Sequence, residues 1–244
     1  MNSSENTESP KALDILLHDG PCIFINKPGG LLTQGPPGID SLENRVRRYI
    51  KEREGIEGNI YMGVPHRLDR PVAGVIVFGR HQRATQRIAA QFEHRQVRKK
   101  YWAVVDGLVE PDEGTWTDFM RKVPDRAISE ITESGQPKAQ LAVLDFKVLS
   151  RAESRTWLEI ELQTGRTHQI RLQAASRGFP IVGDELYGSA TSFGPQTIDM
   201  RARWIALLAR RLKIRHPMED RMVEVVAPVP ECWRELAGFD FPAK

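Results

Sequence analysis

Short apolar, β-branched runs outnumber amphipathic helical stretches in this chain, and most follow one another with only a turn between them. Such runs cannot each bury a face alone, so they must pair into a sheet. Residues 22–26, 74–78 and 101–106 read as strands. Residues 140–149 and 156–163 read as one hairpin across a polar turn, and 212–215 with 222–227 as a late one. Helical spacing is confined to four places. Residues 40–54 carry Leu42, Val46 and Ile50 on one face, with Asp40 as cap and Glu43 at the reciprocal capping position. Residues 82–96 carry Ala84, Ile88, Ala89 and Phe92, residues 167–177 end at Gly178, and 230–237 form a last short helix. The pattern predicts an α+β fold with a largely antiparallel central sheet flanked by helices.

The chain has 244 residues, enough to bury a core without disulfides or metals. Residues 1–11 read as a flexible tail and 12–244 as one catalytic-size domain, without repeats or a linker. Cys22 and Cys232 lie far apart and no metal-ligand spacing occurs. No signal sequence and no apolar run of roughly 20 residues is present, which predicts a cytoplasmic protein without a membrane partner. Thirty-five basic against 32 acidic residues leave a charge of only +3. The basic residues are concentrated, however. Residues 80–100 hold Arg80, Arg83, Arg87, Arg95, Arg98, Lys99 and Lys100 against Glu93, and 201–215 form a second basic stretch. Local asymmetry of this kind favours a nucleic-acid partner more than the total does. The nucleotide-binding G-x-x-x-x-G-K-[ST], dinucleotide G-x-G-x-x-G, zinc H-E-x-x-H and hydrolase G-x-S-x-G patterns are missing.

Three polar clusters remain. His66-Arg67-Leu68-Asp69-Arg70 stands at the mouth of the strand 74–78, a rigid support for a site. Arg67 and Arg70 favour an ionised Asp69, which suits a nucleophile or general base; a loop ion pair is the plainer alternative. Gly165-Arg166-Thr167-His168-Gln169-Ile170-Arg171 joins a strand to an expected helix start. Backbone amides there attract anions, and the Arg166 fork suits either Asp69 or a substrate phosphate. Arg98-Lys99-Lys100-Tyr101-Trp102 sets cations beside aromatics, as RNA binding requires, or protects an edge strand with charge.

Together these clusters resemble the RluA-type RNA pseudouridine synthases. His66-Arg67-Leu68-Asp69 with Gly74 resembles the family signature, and the histidine before R-L-D distinguishes this branch from the small-subunit type. Ile25-Asn26-Lys27-Pro28 with Gly30 and Leu31, Lys99/Lys100-Tyr101-Trp102-Ala103, the 165–171 segment, Pro180-Ile181-Val182-Gly183-Asp184 with Tyr187-Gly188, and His216-Pro217 with Ala227-Pro228 follow in the family's order. Two positions depart from it: Ala73 lacks the usual hydroxyl, and Ala209 stands where a histidine is common.

The resemblance implies the pseudouridine synthase fold without an N-terminal S4-type RNA-binding domain. It implies conversion of uridine to pseudouridine in structured RNA, ribosomal RNA ahead of transfer RNA, by a monomer needing no cofactor, metal or nucleotide. Asp69 would be the catalytic aspartate, by attack on ribose, addition to uracil or removal of a ribose proton. Arg166 would be its ion-pair partner and Tyr101 the platform for the uracil. Arg67 would enter the RNA where the uridine leaves, with His66, Lys27 and Arg171 as further substrate or scaffold contacts. The competing readings are an inactive RNA-binding or ribosome-assembly factor with the same fold, and a metal-dependent nuclease using His66, Asp69, His168 and Asp184.

Overall fold

A computed structural model describes residues 13–36 and 38–242. The expected tail, residues 1–11, lies outside the described residues. The strands are β1 (Ile15–Asp19), β2 (Cys22–Lys27), β3 (Ala73–Gly79), β4 (Arg98–Asp106), β5 (Glu113–Lys122), β6 (Ser129–Thr132), β7 (Gln140–Ala152), β8 (Arg155–Leu162), β9 (Leu207–Arg215) and β10 (Met222–Val226). They form one sheet ordered β1-β2-β3-β9-β4-β8-β7-β5-β6, with β10 also on β9. All pairings among the described strands are antiparallel except β3 with β9. The α+β expectation holds, and 230–237 shortens to a 3-10 turn at Glu231–Glu235.

Helix α1 (Leu42–Glu54) lays Leu42, Val46 and Ile50 on Ile23 and Ile25 of β2 and Ile76 and Phe78 of β3. Each buried aliphatic contributes about 1.5–3 kcal/mol. The N-cap is Ser41, whose hydroxyl accepts the Asn44 N–H, and not Asp40, which takes Arg45 instead. The helix ends at Gly55 in the left-handed region. Helix α2 (Gln82–Glu93) stops three residues short of the expected end, because Arg95 is left-handed (φ 56°). Helix α3 spans Gln169–Ala175; its start is set back because His168 is left-handed as well.

The β3–β9 contact positions the site. It covers only Ala73 with Leu208 and Gly74 with Ala209. Gly74 has φ +120°, and a Cβ there would lie 2.3 Å from the Ala209 carbonyl oxygen, so only glycine lets the strands close. Beyond this point β10 takes the place of β3 beside β9. The Val77 N–H on the diverging β3 donates to His66 Nε2 at 3.1 Å.

Candidate active site

Asp69 sits on the loop that enters β3, and that loop is fastened from three sides. Thr33 Oγ1 donates to Leu68 O at 2.9 Å and accepts the Leu68 N–H at 3.3 Å. Lys27 Nζ donates to the carbonyls of Pro28, Arg70 and Val72 at 2.9, 3.1 and 2.8 Å. Arg70 Nε reaches Gly30 O, and its guanidinium pairs with Asp199 at 2.8 Å. Lys27 is fully buried with its hydrogen-bonding capacity used on carbonyls, so it is a clamp on the Asp69 loop and not a substrate contact. Burial pushes its pKa down to about 7, against a smaller opposing pull from Asp69. His66 lines the same cleft as Asp69, and it is also tied into the scaffold: its ring stacks on Phe92 at 4.2 Å while Nε2 accepts the Val77 N–H. Burial, aided by Lys99, drives His66 down to about 3 and keeps it a neutral acceptor.

The carboxylate opens on a cleft of 970 Å³ whose wall also includes Tyr101, Lys99, Arg67, Arg95 and Arg166. Tyr101 stands on β4 at a bulge in its pairing with β9, opposite Ala209, where the two halves of the core meet. Burial, with a smaller contribution from the Asp69 charge, holds its phenol well above the ordinary range, so it is neutral.

The expected partner of Asp69, Arg166, lies elsewhere: its Nε donates to Leu141 O at 3.0 Å. The cation beside Asp69 is Arg171, with NH1 3.8 Å from Oδ2. Arg171 is held in turn by a two-pronged bond to Asp184, at 2.6 and 2.8 Å, and lies over the Tyr187 ring at 5.0 Å. Burial opposes its charge, but the Asp184 bond and the two carboxylates outweigh burial and raise its pKa. Arg70 likewise turns from Asp69 to Asp199, and Arg67 remains exposed at the rim. The expected amide nest at the start of α3 is filled from within: Gln169 Oε1 accepts from Arg166 N–H and Thr164 Oγ1. Thr33 and Tyr187 were not expected at the site, and Asp184 was expected there only as a ligand in the nuclease reading; Asp184 and Tyr187 stand in the 180–188 segment of the resemblance, which could have pointed to them.

The model for the RNA pseudouridylate synthase family matches residues 21–176. The chain is 35% identical over 230 residues to the uncharacterized RNA pseudouridine synthase YlyB of Bacillus subtilis, covering 93% of this chain and 72% of that one. The chain belongs to the RNA pseudouridylate synthase family. This synthase is an RNA-modifying isomerase of the RluA type. It is also 34% identical to ribosomal large subunit pseudouridine synthase D of Xylella fastidiosa, over 90% of this chain and 66% of that one. In fold it matches human RNA pseudouridylate synthase domain containing 4, with a TM-score of 0.72, 24% identity and 89% of each chain covered. Among the described residues no helix is long and apolar enough to cross a membrane. Two of the four residues of the nuclease reading are engaged by other groups, His66 by the Val77 N–H and both Asp184 oxygens by Arg171, and no cluster of three or more candidate metal ligands occurs among the described residues.

Proposed function

We propose that Asp69 is the catalytic carboxylate of this synthase and that its substrate is a uridine extruded from structured RNA into the 970 Å³ cleft. The observation that carries this reading is that an Arg171-paired Asp69 and a neutral Tyr101 share one cleft wall. The N-glycosidic bond between C1′ and N1 breaks beside the carboxylate, the uracil turns, and carbon 5 bonds to C1′; the proton lost from carbon 5 is balanced by the one gained at the freed N1. Tyr101 offers its ring to the uracil during that turn, and its phenol stands beside Asp69 on the same wall.

Extruding a base costs a few kcal/mol. Arg67, exposed at the rim, enters the vacated stack and offsets part of that cost. Lys99, Arg95 and Arg166 have no carboxylate partner within ion-pair distance among the described residues. Burial, and then the charge of Arg95, lower the Arg166 pKa; this is a like-charge neighbourhood that a phosphate would relieve. Arg166 is therefore assigned to the RNA backbone instead of to Asp69.

The relatives named for the ribosomal large subunit favour ribosomal over transfer RNA, and a monomer acting in the cytoplasm suits such a substrate. Pseudouridine mapping in a strain lacking this chain, against its parent, tests the reading. Loss of a site in large-subunit RNA is expected; an unchanged map in all RNA would overturn it.

A further inference from the structure

His168 precedes α3 in an unusual backbone conformation. Its φ of 57° and ψ of 25° place a non-glycine residue in the left-handed region, a conformation retained where the surroundings impose it. Its side chain makes no cap bond to α3. Instead it lies between Tyr187 and Asp69.

We propose that Tyr187 and His168 form a positioning relay for Asp69, in which the Tyr187 hydroxyl fixes the tautomer of His168 and the imidazole presents its N–H to the carboxylate. The proposal rests on Asp69 being the catalytic group. Three contacts define the direction of the relay. The Ser129 N–H donates to the Tyr187 oxygen at 3.0 Å, so the hydroxyl hydrogen must go elsewhere. It has two acceptors, His168 Nδ1 at 2.8 Å and Ser129 O at 3.5 Å, and the shorter contact takes it. With Nδ1 accepting, a neutral imidazole carries its hydrogen on Nε2. Nε2 lies 3.8 Å from Asp69 Oδ2.

The charged groups around His168 are Asp69, Arg171 and Asp184. Burial, with Arg171, lowers the imidazole pKa and outweighs both carboxylates, so the neutral form is the resting one. At 3.8 Å the N–H is poised but not bonded. Catalytic contacts of this kind tighten when substrate docks. The relay also links the β5–β6 end of the sheet, through Ser129, to a carboxylate at the β3 end.

The test is single-turnover and steady-state pseudouridine formation by wild type, Tyr187→Phe, His168→Gly and His168→Asn, each checked for folding by its melting transition. Tyr187→Phe keeps the ring over Arg171 and loses only the hydroxyl. His168→Gly accepts the left-handed backbone and loses the donor. His168→Asn tolerates that backbone and restores an N–H donor. The expected result is a fall in kcat of about tenfold, the scale of one missing charge-assisted hydrogen bond. It appears in Tyr187→Phe and His168→Gly with KM for RNA unchanged, and Asn recovers part of it. Values of kcat within twofold of wild type, a loss confined to KM, or Asn no better than Gly would overturn the relay while leaving the Asp69 reading in place. An inactive wild type would overturn both.

Discussion

Replacing Arg171 with methionine separates the ion pair that the structure shows from the one expected at Arg166. Asp184 is 1% exposed and Arg171 5%, and two hydrogen bonds of 2.6 and 2.8 Å join them. Removing the guanidinium leaves a buried carboxylate without its counter-charge, a change that costs about 3–5 kcal/mol. For a chain of this size that is a fall in Tm of about 6–20 °C. Urea denaturation of Arg171→Met against wild type reads the loss directly. Adding Asp184→Asn should recover most of the stability, because the orphaned charge is gone, but not activity, because Asp69 still lacks its neighbouring cation. Arg166→Met, removing a bond to the Leu141 carbonyl near the surface, should change stability by less than about 1 kcal/mol. If Arg171→Met lost less than about 1 kcal/mol, or Arg166→Met lost as much as Arg171→Met, the assignment of the buried pair would be refuted.

Gly74→Ala should lose about 2–5 kcal/mol, combining a disfavoured backbone with an overpacked β3–β9 contact; denaturation showing under about 1 kcal/mol would mean the strands part freely. For His66, folding lowers the pKa from 6.5 to about 3. The unfolded chain therefore binds the extra proton first, and stability falls as pH drops through that window. His66→Gln should show a flatter acid profile between pH 6.5 and 3, and parallel profiles would remove His66 from the scaffold. Lys99→Gln with Arg166→Gln should flatten the slope of log RNA affinity against log salt by about 0.7–0.9 for each phosphate left without its cation; an unchanged slope would place the phosphates elsewhere.

Much of the sheet was legible from sequence because β3, β4 and β8 are apolar enough to announce burial. Strand β5 was not, since its inward row alternates Trp116 and Met120 with Asp118. That carboxylate is accommodated only because Gln173 and Arg177 of the distant α3 region donate to it. Strand β6 carries a single apolar residue, Ile131, and the apolar run of β1 is only three residues long, too short to signal a strand alone. In the site, Asp69, Tyr101 and Arg171 could be located from their motifs, but their pairing could not. Arg166 and Arg171 stand in one segment, and which of them faces Asp69 depends on the left-handed turn at His168. Sequence spacing also could not show that Lys27 is spent on three carbonyls, because two of them lie more than 40 residues away.

Pseudouridine formation by Asp69→Asn, followed by mass spectrometry on RNA incubated without metal or cofactor, bears most directly on the catalytic assignment. Wild type should form pseudouridine, and the variant should form none while binding the same RNA with similar affinity. Normal turnover by Asp69→Asn would contradict it.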